Sequence, residues 1–401
     1  MEKRLPGITG LGDACCGCGA CAAKCPHGCI SMGRDKCSFL HPSVNANICV
    51  GCGACDSACP VIGKREEDDC EAVYWAKSKN EPEKLASSSG GIFALLAHEV
   101  LNAGGVVCGA AWESDFKGVR HVLIEDEADL DSVMRSKYVQ TTVGVEVYEG
   151  IRAALKANRR VLFTGTACQV SGMRGYLGKL ADSEFLLLVD VICHGVPAPL
   201  LWEKWAVWRE ARAGAPLRGV NMRSKTTGWL SFSAAYEYAA EKDGRAVADG
   251  SAFGDDWYFK AFLSNASLRP SCFNCPAKRA CGSDITLGDF WGVQSTHPDV
   301  DYEGGVSAVL CNTAKGVAAL ETLGANLERG ESSLEKVLPG NPSLVRSVRP
   351  YARRDEFMRD LGDGMGIDGL MAKYDFKPTL VQRARGKLGG AKRRLKKLLG
   401  R

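Results

Sequence analysis

The 401-residue sequence contains no stretch that approaches the ~18 unbroken apolar residues of a bilayer-spanning helix. Its start, Met1-Glu2-Lys3-Arg4-Leu5-Pro6, lacks the apolar run of a secretory signal, so a cytoplasmic protein is expected. Acidic residues are missing from Phe376–Arg401, which holds ten Lys/Arg and leaves residues 1–375 at 41 − 47 = −6. A mildly acidic body argues against nucleic acid as a partner, because phosphate contacts need clustered cations on the folded surface. What is abundant is cysteine: 19 in all, with twelve between Cys15 and Cys70. In a reducing compartment these do not form a disulfide framework, and metal ligation is the expected use.

The cysteines follow a repeated unit. C-x2-C-x2-C-x3-C-P occurs at Cys15, Cys18, Cys21, Cys25-Pro26 and again 34 residues later at Cys49, Cys52, Cys55, Cys59-Pro60. A four-iron cube needs four converging thiolates. Three come from a tight glycine-containing loop whose N–H groups reach the sulfurs, and the fourth of each run ligates the other cluster. Cys15, Cys18, Cys21 and Cys59 are therefore assigned to a first [4Fe–4S] cluster, and Cys49, Cys52, Cys55 and Cys25 to a second. Over about Asp13–Val61 the unit resembles bacterial ferredoxins that carry two such clusters. Zinc knuckles would show paired C-x2-C instead, and the C-x3-C-x2-C of radical-generating adenosylmethionine enzymes does not occur. Gly17–Ala22 matches G-x-G-x-x-A, but its cysteines are committed and no strand precedes it. Cys16, Cys29, Cys37 and Cys70 are surplus and read as small buried residues.

The charge run 64–69 reads as a solvated linker, after which strand-like and helix-like runs alternate. Helices are predicted over Gly91–Asn102, Glu127–Met134, Tyr148–Asn158 and Leu200–Arg212, and strands over Val106–Ala111, Arg160–Phe163 and Glu184–Ile192. The Trp202, Trp205, Trp208 stripe is core or interface packing. The expected fold class is α+β: a ferredoxin-like two-cluster domain (1–65), then one mixed α/β domain in two parts (71–160 and 161–375), then a tail (376–401).

Five short motifs lie in the second region: Ser87-Ser88-Ser89-Gly90-Gly91, Ser136-Lys137-Tyr138-Val139-Gln140, Thr164-Gly165-Thr166-Ala167-Cys168-Gln169, Cys193-His194-Gly195-Val196-Pro197, and Cys272-x2-Cys275 leading to Asp289-Phe290-Trp291-Gly292. Together, over about Tyr74–Glu328, they resemble the beta-subunit family of coenzyme F420 hydrogenases and dehydrogenases. The family's 7-hydroxymethyl chlorophyll reductase branch means that substrates other than F420 are within its range. The resemblance implies a non-Rossmann flavoprotein holding FAD beside a [4Fe–4S] cluster. It departs from the family's usual loop at Ala167, where proline is common.

The residues suit that role. Ser88, Ser89, Gly90 and Gly91 precede a predicted helix, where N–H groups and small side chains seat a pyrophosphate or serve only as a cap. Thr164, Gly165 and Thr166 end a strand, where open α/β sheets place ligands. Lys137 and Gln140 offer a cation and an amide to the flavin, and Gln169, Gly195 and Asp289 complete the expected cofactor-binding set. Lys137, Thr166 and His194 are the flavin-side catalytic candidates, with backbone anchoring the alternative for His194. Cys168, Cys193, Cys272 and Cys275 are expected to hold a third [4Fe–4S] cluster, with Cys281 as substitute ligand. Leu388–Leu399 reads as a basic amphipathic helix, suited to an anionic membrane face or to a docked or solvated end. The expected function is an iron–sulfur flavoprotein oxidoreductase with a small-molecule hydride donor or acceptor. A ferredoxin or oxidoreductase subunit is its expected redox partner, and a relay subunit without its own substrate is the alternative.

Overall fold

The computed structural model describes residues 5–63, 65–242 and 245–376. The basic stretch 388–399 lies outside them. No helix among the described residues is long and apolar enough to cross a membrane.

The cysteine repeat folds as a repeat. Each run places its third cysteine in a five-residue helix, Ala20–Lys24 and Ala54–Ala58, begun by a left-handed glycine (Gly19, φ 84°; Gly53, φ 72°). The two helices pack together, and a hairpin of β1 (Ile30–Arg34) and β2 (Leu40–Val44) closes the module. Its small interior is built from cysteine, alanine and isoleucine.

The remainder is organised on a nine-stranded sheet of β3 (Ala72–Ser78), β4 (Val106–Trp112), β5 (Val119–Ile124), β6 (Thr141–Thr142), β7 (Val161–Thr166), β8 (Leu186–Val191), β12 (Ile285–Asp289), β13 (Ser307–Cys311) and β14 (Leu327–Glu331). The order is β14-β3-β13-β12-β8-β7-β4-β5-β6, so strands from 71–160 and 161–375 interleave in one sheet. The centre, β12-β8-β7-β4, is parallel, and β13, β3 and β14 extend it antiparallel. Helix Ile92–Asn102 covers one face, and Val145–Lys156 and Ala167–Leu177 cover the other. Parallel strands covered on both sides need apolar residues at every position, which explains the unbroken Leu186–Val189 run.

β9 (Leu217–Ser224), β10 (Ser233–Lys242) and β11 (Arg245–Ala252) form a separate antiparallel sheet. It shares an aromatic core with helices Pro199–Ala213 and Trp257–Leu263. Trp202 and Trp205 are buried in that core and Trp208 packs on it, so the stripe is packing.

The 64–69 run departs from the solvated reading at Asp68. Its carboxylate accepts N–H bonds from Cys281 and Gly282 at 2.9 Å each, and its amide donates to Arg279 O at 2.5 Å. Free backbone amides outcompete water for this one acid, while Glu66, Glu67 and Asp69 stay exposed.

Candidate cluster and flavin sites

In the ferredoxin-like module seven of the eight repeat cysteines gather in two groups that cross between the runs. Cys25 joins Cys49, Cys52 and Cys55 around one small cavity. Cys59 in turn stands beside Cys15 and Cys21: burial first, then those neighbouring thiols, push the Cys21 thiol up to about 12. Cys18, on the same loop, faces helix Ala167–Leu177 where that helix has Gly172; a Cβ there would stand 2.9 Å from Cys18 Sγ. The glycines after the first cysteine of each run act alike. Gly17 N–H donates to Cys15 Sγ and Gly51 N–H to Cys49 Sγ, both at 3.4 Å. Positive φ at both (70° and 72°) turns the amide toward sulfur, a conformation that glycine adopts without strain.

A third set forms where β7 and β8 end. Thr166 caps helix Ala167–Leu177 in a capping box with Gln169, and this fixes Cys168 in the first helical turn. Cys193 follows β8, and the Pro270–Asn274 turn brings Cys272 and Cys275 opposite. All four line one cavity of about 740 Å3, open solvent included, together with Thr166, His194 and Gly195. Burial pushes the Cys272 thiol up to about 12, with Cys168 and Cys275 adding to it; Cys193 is raised by burial and then by Cys272. Val196 N–H donates to Cys272 Sγ at 3.4 Å, the contact already seen at Cys15 and Cys49. Cys281 reaches the same cavity, but its thiol faces Asp68 at 3.6 Å. Among the described residues no three His, Cys, Asp or Glu side chains close on a single-ion position. A four-iron cube takes one thiolate per iron and therefore sets its sulfurs farther apart.

Two residues link this cavity to the module, and both escaped the sequence reading. Cys16, next to the ligand candidate Cys15, turns into the cavity and contacts Cys168. Arg269, 1% exposed, donates from Nε to Cys15 O at 2.6 Å and from Nη2 to Leu40 O at 2.7 Å. Gln140 completes the seam: Nε2 donates to Cys16 O at 3.4 Å, and Oε1 accepts from Arg269 at 3.3 Å. Among the described residues no carboxylate pairs with Arg269. A lone arginine reads as a surface cation in sequence, so only its burial identifies it.

The remaining motifs meet at a second centre, Arg223. Its guanidinium grips Asp289 with two bonds of 2.8 Å, donates to Tyr138 OH at 3.2 Å, and donates to Ser88 O at 3.0 Å. Ser88 Oγ accepts the Ser136 N–H at 2.8 Å. Trp229 Nε1 donates to Asp289 at 2.7 Å, and its ring stacks on Trp291 with centroids 5.1 Å apart. Arg223 Nε is buried there without a hydrogen-bond partner.

The loop before helix Ile92–Asn102 is closely packed. Gly90 N–H donates to Ser307 Oγ at 3.0 Å, Ser89 Oγ donates to Val306 O at 3.1 Å, and Gly91 (φ 86°) caps the helix. Lys225 Nζ ties the same loop through Ser89 O at 2.7 Å.

The other site candidates have partners within the protein. Lys137 Nζ donates to Met134 O and Arg135 O, and burial lowers it to about 7. Thr164 Oγ1 donates to Cys108 O at 3.0 Å, and Gly165 packs on Gln169 beside it. His194 Nε2 pairs with Asn265 Oδ1 at 2.6 Å, and burial lowers its pKa.

Residues 158–335 match the family model for the carboxy-terminal part of the coenzyme F420 hydrogenase/dehydrogenase beta subunit. No curated protein matches the chain. Among solved structures, a chain of the xenon-derivatised F420-reducing [NiFe] hydrogenase complex from Methanosarcina barkeri aligns at 15% identity and a TM-score of 0.45, over 77% of this chain and 92% of that one. The family-model match spans the part of the chain that holds Thr166, Cys168, Cys193, Cys272 and Cys275.

Proposed function

We propose that the protein is an iron–sulfur flavoprotein oxidoreductase that exchanges a two-electron equivalent with coenzyme F420 or another organic hydride carrier, and single electrons with a redox partner protein. Three thiolate sets would hold [4Fe–4S] clusters: Cys15, Cys18, Cys21, Cys59; Cys49, Cys52, Cys55, Cys25; and Cys168, Cys193, Cys272, Cys275. The observation that carries this reading is Arg269. A guanidinium buried without a carboxylate is costly unless negative charge lies nearby. It bonds the Cys15 loop and lines the Cys272 cavity, so two anionic thiolate–iron sets would supply that charge. Backbone N–H groups aimed at Cys15, Cys49 and Cys272 would stabilise thiolate sulfur in each set.

FAD, when bound, supplies the exchange between hydride and one-electron chemistry. The residues that would hold it are the Ser88–Gly91 loop, Arg223 through its unpartnered Nε, and the Trp229–Trp291 wall, with Thr166 and His194 on the cluster side. Asp289 orients Arg223, and Lys137 braces the adjoining turn through two carbonyls.

A second reading, a relay subunit without its own substrate, draws on the Ser89 and Gly90 contacts, which already occupy that loop's hydroxyl and amide. Anaerobic purification followed by iron, sulfide and flavin analysis separates the two. Iron with released FAD, bleached by reduced F420, NADH or NADPH, supports the oxidoreductase. Iron without flavin turns the assignment to the relay, and zinc alone ends both.

A further inference from the structure

We propose that Cys29 is a reserve ligand of the second cluster, able to take over the iron held by Cys25. The inference rests on reading Cys25, Cys49, Cys52 and Cys55 as one ligand set. Cys29 Sγ stands 3.3 Å from Cys25 Sγ. It lines the same cavity as the four assigned cysteines, so five thiols surround one site. The local backbone holds the two sulfurs together. Gly28 (φ 59°) reverses the chain, its N–H donating to Cys25 O at 3.2 Å, and Asn45 N–H holds Cys29 O at 2.8 Å just before β1.

Of the other surplus thiols, Cys16 turns to Cys168 in the neighbouring cavity, and Cys37 and Cys70 touch no cluster-set sulfur. Cys37 donates to Met358 O and Cys70 to Ala72 O, each as an ordinary half-used buried thiol. Among Cys29, Cys37 and Cys70, only Cys29 packs sulfur on a cluster-set sulfur.

At this separation either thiol can donate its S–H to the other sulfur. With Cys25 bound to iron as thiolate, the Cys29 S–H donates to it. In the exchange, the iron–sulfur bond to Cys25 breaks and one to Cys29 forms. The proton passes from Cys29 to Cys25. The number of thiolates on the cluster, its charge and its oxidation level are unchanged, so no oxidant or reductant takes part.

The test uses the full chain purified anaerobically, with iron and sulfide per chain, circular dichroism for folding, and electron paramagnetic resonance of the reduced protein. Cys25→Ala and Cys29→Ala should each keep the wild-type iron content, and Cys25→Ala should change the resonance of one cluster. Cys25→Ala/Cys29→Ala should lose about four irons per chain, as should Cys52→Ala, which has no spare thiol beside it. Loss of about four irons from Cys25→Ala alone, or its failure to fold where Cys29→Ala folds, overturns the proposal. A wild-type chain without iron instead overturns the underlying ligand assignment.

Discussion

Arg269 bonds the Cys15 loop and lines the Cys272 cavity, and under the proposed ligand sets its removal has a signed electrostatic consequence. A buried positive charge favours the more negative, reduced form of any cluster beside it. Arg269→Gln should therefore lower the midpoint potentials assigned to the Cys15 and Cys272 sets by on the order of 50 mV, about tenfold in a one-electron equilibrium. The more distant Cys52 set should move less, and potentiometric titration monitored by electron paramagnetic resonance reads all three. Lys137 makes a different signed prediction. An ordinary lysine holds its proton to about 10.4, whereas burial lowers Lys137 to about 7. Between these values the unfolded chain binds a proton that the folded chain does not, so this residue's contribution rises with pH and is lost as pH falls through 7. Lys225 is lowered to about 7 by the same cause. Lys137→Gln should thus gain less stability than wild type between pH 7 and 9, by on the order of 2 kcal/mol, and Lys137→Gln/Lys225→Gln less again. Urea midpoints at the two pH values measure this. Neither residue declared its role in sequence: Lys137 was legible only as part of a motif, and Arg269 not at all, because burial is a tertiary property.

Helix Ala167–Leu177 is the element on which the module seats, and its two glycines fix how closely. A Cβ on Gly175 would stand 2.5 Å from Ala58 O, and one on Gly172 would meet Cys18 Sγ. Two effects oppose each other at Gly175→Ala. Alanine favours the helix by about 1 kcal/mol, while forcing atoms into a filled contact costs about 1–3 kcal/mol. The contact is with backbone, which cannot rotate away, so the second effect wins. Gly175→Ala should loosen the module, seen as faster proteolysis between 63 and 70, with the circular dichroism of the main sheet unchanged. Elements of this kind were legible where the pattern is regular. From Val106 to Arg212, apolar strands alternate with helices long enough to show their period, and the elements read there differ from the structure by only a few residues at the ends, although β5 and the two-residue β6 were not foreseen. Beyond Arg212 that signal fades. β9–β11 form a sheet interrupted by register shifts, and several later helices span only four to nine residues. Such helices are too short for periodicity to separate them from turns.

Across the whole molecule the three proposed ligand sets differ in exposure, the Cys272 set being partly exposed at all four cysteines. Cys52 is exposed, whereas Cys15, Cys18, Cys21 and Cys59 are buried, and Cys16 contacts Cys168 at the next cavity. That Cys25 shares a cavity with Cys49, Cys52 and Cys55 was legible in the spacing, because in the proposed ligand sets each run lends its fourth cysteine to the other. The link from module to cavity did not follow, since it depends on Cys16, Gln140 and Arg269 meeting from three distant parts of the chain. The segment that carries Cys52 is uncharged: Ile48 and Val50 are half exposed, and residues 45–55 carry no Lys, Arg, Asp or Glu. A one-electron partner docking there would rely on apolar contact, so its rate of electron delivery should depend weakly on salt. The same asymmetry separates the two kinds of reductant. Cys52→Ser alters the set nearest solvent and leaves Arg223, Thr166 and the Cys272 cavity untouched. Flavin bleaching by a one-electron donor such as reduced ferredoxin should therefore slow at least about tenfold, while bleaching by a hydride donor keeps its wild-type rate. Equal slowing with both donors in stopped-flow measurements would mean that the outer thiolate set does not serve as the entry point for single electrons.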